Sequence, residues 1–463
     1  MKKILAVLLL LAFHTGQAQI PLFSTTLELK RGTDYHQSLA ATDTAYSQFA
    51  VFISDKESLK ALRLNGALFF KDSLTTTRPV KDYDFMAGYS FTNGKPGVYW
   101  ASADLKKLQG LYFDFENSTV GRANFEMPYA EDEEILTTFS EYNSFYILTL
   151  PAKKDELKCY IFNKGTYTIK TIDFSGFAFT NEKSKKTTLN ALISYYSLQK
   201  IEAHGFTDLA TSSQKIKLYA LKDSFLLTLD HNPGYTQIFT INNEDYTITQ
   251  KIYTHSVLTE SADANSFYIE GKLYQLKLNN EEIALTATTL SNTADSKNYH
   301  ATAEETIGFK NSPLLSQTGN DSPDEFRDTK KFLRRAGSSG IAISVYRTPD
   351  DLLVTAGGVR TILPAGDVIL GAGLVLAGGS SDMFGDGHEL QTNYFESLFD
   401  DAFNHRPYVL PTLAIDNIGR YTGGNKNLTL QTVTPFKGSY ILGFYDTKAR
   451  RYLLRKFDDE FAY

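Results

Sequence analysis

The chain has 463 residues, 42% of them hydrophobic and 13% aromatic, and a formal charge of −6 that becomes −8 without Lys2 and Lys3. Acids and bases are mostly interspersed, which argues against nucleic acid as a partner. A single cysteine, Cys159, rules out an intramolecular disulfide, so stability has to come from packed area, and a chain of this length can supply it.

The N-terminus carries two lysines, an apolar run from Ile4 to Phe13 and the small-residue segment Gly16-Gln17-Ala18. That pattern predicts a signal peptide over residues 1–18, an exported mature chain starting at Gln19, and a periplasmic or extracellular location. The run is too short to span a bilayer, and no cysteine lies near the expected cut to take a lipid. The mature chain then opens on Ser24-Thr25-Thr26-Leu27-Glu28-Leu29-Lys30, whose alternation is that of an edge strand. Such a strand is expected to pair with the last part of the chain, near 440–444 or 452–457, and so hide a free sheet edge.

With 28 Tyr, 32 Phe and many Thr, Ile and Val in short alternating runs, β structure dominates the expectation. Weaker units lie at 49–70 and 98–127. The clearest unit is four strands at 135–140, 144–150, 157–163 and 167–174, separated by turn-forming residues such as Asn163-Lys164-Gly165-Thr166. Cys159 alternates there with Leu157 and Ile161 and reads as a small buried residue without chemistry. A second unit runs over 215–220, 224–230, 235–241 and 246–253. Between the two, 187–212 does not divide into four strands and suggests one unit enlarged by an insertion.

Asn143-Ser144-Phe145-Tyr146-Ile147 recurs as Asn265-Ser266-Phe267-Tyr268-Ile269, with Asp223-Ser224-Phe225-Leu226-Leu227 between them, at steps of 80 and 42 residues. These steps approximate two periods and one period of a four-stranded propeller blade. Phe145, Ile147, Phe225, Phe267 and Ile269 are therefore expected as buried equivalents.

Further units follow at 266–290, 341–362 and 394–457. Two stretches break the pattern: 291–340 is polar, and 363–390 is rich in glycine, so both read as long loops inserted into one β domain over 19–463. Within the first, Lys330-Lys331-Phe332-Leu333-Arg334-Arg335 has the spacing of an amphipathic helix with a solvated face. Within the second, Asp382, Asp386, His388 and Glu389 crowd together and form the candidate ligand-binding group. Calcium is the metal they could hold, but Phe384 stands where an Asp-x-Asp-x-Asp-Gly loop needs an oxygen ligand. The expectation is of no cofactor.

Catalytic signals are absent. Ser197-Leu198-Gln199-Lys200 and Ser212-Ser213-Gln214-Lys215 satisfy Ser-x-x-Lys without its companion motifs, and there is no Gly-x-Ser-x-Gly elbow, phosphate loop or dinucleotide fingerprint. Asp114, Glu116 and the run Glu131-Asp132-Glu133-Glu134 are the only acids arranged so as to suggest glycosidase carboxylates.

In the repeated four-strand units and the leader, the chain resembles exported bacterial proteins of β-propeller-like architecture. The resemblance implies an all-β propeller of about seven four-stranded blades, with six or eight as alternatives, and carries over no functional residue. The function expected is that of a non-catalytic binding or scaffolding protein of the cell envelope, with an envelope protein or a glycan as partner. The alternative is a glycan-active enzyme whose carboxylates meet at the propeller centre.

Overall fold

The computed structural model describes residues 19–319, 321–362 and 389–460. The proposed leader over 1–18 and the body of the glycine-rich stretch, 363–388, lie outside the described residues.

Among the described residues the chain forms seven sheets of four or five strands, antiparallel but for one short strand of the fourth, and one two-stranded ribbon. The first three are simple meanders: Gln37–Thr42, Phe49–Ser54, Ser58–Leu64 and Phe70–Thr77; then Phe85–Thr92, Lys95–Ala101, Lys107–Asp114 and Thr119–Glu126; then Glu133–Glu141, Ser144–Pro151, Glu156–Asn163 and Thr166–Asp173. The fourth contains Ile216–Ala220, Ser224–Leu229, Tyr235–Asn242 and Ile248–Thr254, with a short strand, Gln199–Ile201, added parallel to the first of them. The fifth is Asp263–Ile269, Lys272–Leu278, Glu282–Thr289 and Asn292–Thr302. The two clearest units of the sequence are thus the third and fourth sheets, nearly residue for residue.

The sixth sheet is ordered differently. Gly340–Arg347, Leu352–Ile362 and Glu389–Phe399 form its inner part, and its outer strands, Leu315–Thr318 and Asp324–Glu325, come earlier in the chain. The polar stretch read as a loop therefore holds the outer strand of the fifth sheet, two strands of the sixth, and a helix, Thr329–Ala336. That helix begins where Asp328 caps the Lys331 amide, and it buries Phe332 and Leu333, the apolar face its spacing predicts.

The seventh sheet is Leu428–Phe436, Ser439–Asp446 and Arg451–Phe457, completed by the N-terminal strand Gln19–Thr26. Ser24 pairs with Leu453 and Thr25 with Tyr452, so the expected pairing with the end of the chain is observed. The strand ends at Thr26, four residues short of the predicted Lys30.

Each sheet packs on the next. Phe52 and Trp100 share a core between the first and second sheets, and Tyr99 and Phe145 stack at 5.0 Å between the second and third. Phe139 meets Phe225 between the third and fourth, and one large cluster joins the fourth, fifth and sixth. Leu353 and Leu398 meet Leu442 and Phe444 between the sixth and seventh, and Phe436 and Tyr452 meet Phe49 and Val51 between the seventh and the first. The outer strands, such as Phe70–Thr77 and Asn292–Thr302, are mostly exposed. A succession of sheets each buried on both faces, wet at the outer edge, is consistent with a propeller-like arrangement.

The repeated pentapeptide requires a correction. Phe145, Ile147, Phe225, Phe267 and Ile269 are all buried, as expected. They are not all equivalents: Ser144 and Ser224 both open second strands, so Phe145 and Phe225 correspond, whereas Ser266 lies inside a first strand. The 80-residue step is one sheet enlarged by the insertion at 175–213, and the 42-residue step crosses between unlike strands. The identity of letters reflects a shared burial pattern, not a shared place in the fold.

Candidate functional site

Between the sixth and seventh sheets lies a pocket of about 360 Å³, lined by Thr348, Asp350, Asp351, Leu398, Arg406, Tyr408 and Glu460, with Pro349 and Pro411 completing the wall. Three short segments build it. The first is the tight turn that joins Gly340–Arg347 to Leu352–Ile362. The Thr348 amide and hydroxyl both donate to the Asp351 carbonyl, at 3.0 and 2.9 Å, and the Asp351 amide donates to the Thr348 hydroxyl. This fixes the Asp351 backbone and leaves its carboxylate free to point away.

The second is the run after Glu389–Phe399. Asp400 accepts from the Ala402 and Asn404 amides at 2.9 and 2.8 Å, and the intervening Phe403 takes a left-handed φ of 60° with its ring buried. The Asn311 side chain then donates to the Arg406 and Tyr408 carbonyls, pinning the run to the sheet edge. The third is the segment after the last strand, where the Glu460 amide donates to the Thr412 carbonyl and its carboxylate accepts from Asn417 at 3.3 Å.

The electrostatics of this pocket are unbalanced. Asp351 is only 7% exposed, and among the described residues its carboxylate accepts no hydrogen bond. Arg406 Nε stands 3.5 Å from Asp351 Oδ1, too far for a good hydrogen bond, and it too lacks a hydrogen-bond partner among the described residues. Instead the guanidinium rests 5.1 Å over the Tyr408 ring. Burial pushes the Asp351 carboxyl up, Arg406 opposes this, and the charges of Asp350 and Asp400 add to it. On the same strand as Leu398, Glu396 is pushed up to about 7 by burial and by the nearby Asp416.

The acids and loops singled out in the sequence lie elsewhere. Asp382, Asp386 and His388 are outside the described residues, and Glu389 is exposed at the start of its strand, paired with Ile362. Asp114 is held by Lys95 and Asn117, which keep its carboxyl low. Glu133 is held by Lys158, Thr149 and Tyr160. The inner edge of the fourth sheet is covered by the chain's own Gln199–Ile201, and the residues after it reach the seventh and sixth sheets: the Phe206 amide donates to Tyr440 and the Ser344 hydroxyl to the Thr207 carbonyl. Of the acids that suggested a glycosidase, Asp114 and Glu116 line one small pocket with Arg63 and Lys95, where Asp114 is already paired with Lys95 at 2.7 Å.

The pocket residues went unnoticed because nothing in Arg347-Thr348-Pro349-Asp350-Asp351 or His405-Arg406-Pro407-Tyr408 matches a motif. The available signal was a Pro-Asp-Asp turn directly after an apolar strand, which marks a turn but not a site.

No family model matches the chain, and no curated protein sequence matches it. Among solved structures, a Synechocystis ACO mutant aligns with TM-score 0.31 at 9% identity over 59% of this chain and 63% of that one. Cobalt-substituted Synechocystis ACO aligns with TM-score 0.29 at 9% identity over 59% and 62%. AofleA from Arthrobotrys oligospora aligns with TM-score 0.25 at 11% identity over 86% and 92%. The chain thus spans about three fifths of the length of the oxygenase structures it matches.

These comparisons correct two expectations. The structures of similar outline include apocarotenoid oxygenase, an enzyme, and a cobalt-substituted form of it, so the reading as a non-catalytic envelope scaffold and the expectation of no cofactor are both withdrawn. Likeness at these TM-scores transfers no activity to this chain. Among the described residues, no three His, Cys, Asp or Glu side chains come together as a cation site. Among them too, no helix is long and apolar enough to cross a membrane.

Proposed function

We propose that the seven sheets close into a seven-bladed propeller and that function resides in the pocket between its sixth and seventh blades, as a binding site for a small molecule. The observation that carries the site is the Asp351 carboxylate, almost wholly buried, lining a pocket and accepting no hydrogen bond. A buried polar group left without a partner costs about 1 to 3 kcal/mol, and a site that leaves one open is built for something that supplies the partner. The volume falls within the ordinary range for ligand pockets, and proline and leucine walls exclude water around a few polar groups. Because burial raises the Asp351 carboxyl, the site can also exchange a proton with what it holds.

Ring closure is supported by the shared core of the seventh and first sheets and by the N-terminal strand's pairing with Arg451–Phe457. Removing residues 19–31 should lower the thermal midpoint by several degrees, and an unchanged midpoint would count against closure by this strand. The leader pattern over 1–18 supports export as part of the same proposal. The site is tested by a fragment screen read by NMR on the full chain. Shifts should concentrate on Tyr408 and Leu398, and should vanish when Leu398→Trp fills the pocket. A screen in which no fragment moves either residue would sink the reading.

A further inference from the structure

Resting on that reading of the pocket, we infer that its ligand is a small organic cation, an alkylammonium or alkylguanidinium whose charged head pairs with Asp351 and whose apolar body lies against Leu398, Pro349 and Pro411. The first argument is charge balance. Three carboxylates, Asp350, Asp351 and Glu460, line the pocket against one cation, Arg406.

The second argument is how that one cation is used. Arg406 meets Asp351 at 3.5 Å with a single nitrogen instead of the paired, near-3 Å contacts a guanidinium makes with a carboxylate it neutralises. The same fold shows the engaged form a short way off, where Arg347 donates to Glu270 at 2.5 Å and to Asp401 at 2.6 Å while Lys272 also holds Asp401. Asp400, next to the pocket, is likewise satisfied by Asn404 and the Ala402 amide. The acid left over is Asp351.

The third argument is the wall opposite. Tyr408 already carries one guanidinium over its ring and is 54% exposed, so a planar or tetrahedral cation in place of Arg406 would find the same π face. Arg406, 42% exposed at its side chain, has room to swing out when that happens. An anionic ligand would have to enter against three carboxylates, with Arg406 its only counter-charge.

The groups that face Asp351 are Asp350 on its own turn, Asp400 and Arg406 on the run after Glu389–Phe399, and Glu460 on the C-terminal segment. Three of these four are negative, so cation binding should weaken as pH falls and Asp351 takes up its proton.

The test is isothermal titration of the full chain with n-butylammonium, n-butylguanidinium, n-butyrate and n-butanol, with NMR shifts at Tyr408 and Leu398 to locate any binding. The two cations should bind there and the other two should not. Asp351→Asn should weaken the cations about tenfold or more, the scale of one lost charged hydrogen bond, while Arg406→Gln should tighten them. Unchanged cation affinity in Asp351→Asn overturns the inference, and Arg406→Gln provides an independent reading if that variant folds poorly. Binding of butyrate or butanol at Tyr408, in place of the cations, overturns the cation while leaving a small-molecule pocket. No shift from any of the four overturns the cation, and the fragment screen then decides the pocket separately.

Discussion

Two buried carboxylates separate the structural from the functional use of charge in this molecule. Asp230, at the joint of the fourth and fifth sheets, is fully buried and receives Lys217 at 2.8 Å, Ser266 at 2.9 Å and Thr236 at 2.7 Å. Lys217 in turn reaches the Asn265 side chain and the Gln214 carbonyl, and Thr236 is joined to His255 and Gln275. Every group in that network has work inside the fold. Asp351 is nearly as buried, yet its carboxylate meets only a distant, ill-aimed arginine at the wall of a pocket. Two acids of similar burial thus differ in whether the protein completes their partners itself.

The largest expected effect lies on the closed side of this contrast. Lys217→Met leaves Asp230 charged and unmatched in the interior, which should cost about 3 to 5 kcal/mol of unfolding free energy. Burial alone would raise Asp230, but Lys217, Thr236 and the neighbouring hydrogen bonds outweigh it and hold the carboxyl below its ordinary value. A depressed carboxyl stabilises above its unfolded pKa, and that stability is lost as pH falls through the folded value. Denaturant melts from neutral pH into acid should show the wild type losing stability along this limb and Lys217→Met lacking most of it. A loss under 1 kcal/mol in the variant would place the network outside the core energetics.

A smaller effect of opposite sign belongs to Glu396, on the strand that leads to the pocket. Its carboxyl is pushed up to about 7 by burial and by Asp416, against an ordinary value of 4.5. A raised carboxyl contributes stability that is complete below the unfolded pKa and is lost as pH rises through the folded one. Between about pH 4.5 and 7 the wild type should therefore lose up to about 3 kcal/mol from this group, and Glu396→Gln should flatten that slope and be the more stable protein at pH 7.5. Parallel slopes for the two proteins would mean that Glu396 keeps its charge throughout.

Much of the fold was legible in the sequence, for identifiable reasons. The third sheet was readable because its turns use residues that accept left-handed geometry, Asn143 with φ 64° and Lys164-Gly165 with φ 53° and 75°. The N-terminal strand was readable because alternation is a local property, and its partner followed from the need to cover an edge. The sixth sheet was not, because its outer strand Leu315–Thr318 precedes its inner strands by a helix, and pairing with Glu389–Phe399 is a long-range matter that no window contains. The burial of Lys217 was illegible for a different reason: a lysine inside Ile216–Ala220 has the chemistry of a solvent-facing position, and Asp230, Asn265 and the Gln214 carbonyl make its burial tolerable. The pocket was illegible since Asp351, Arg406 and Glu460 share no stretch of chain, and the sheets alone bring them together.

The smallest effect on stability, and the one that most sharpens the contrast, is at Asp351 itself. If this carboxylate were structural, Asp351→Asn would cost as Lys217→Met does. Its one facing donor is Arg406 at 3.5 Å, and burial together with Asp350 and Asp400 outweighs that arginine in disfavouring its charge, so the amide should leave stability unchanged or raise it by up to about 1 kcal/mol at neutral pH. The sign follows from linkage, because a raised carboxyl stabilises below its unfolded pKa and gives that up as pH rises, and an amide has no such loss. The gain should accordingly vanish in acid, where the wild-type carboxyl is also neutral. Denaturant midpoints at pH 4 and pH 8 check this: a variant equal to wild type at the first and equal or better at the second marks a group kept at the expense of stability, as ligand-binding groups commonly are. A variant clearly weaker at pH 8 would show Asp351 completing the fold, and the division between the two carboxylates would fall.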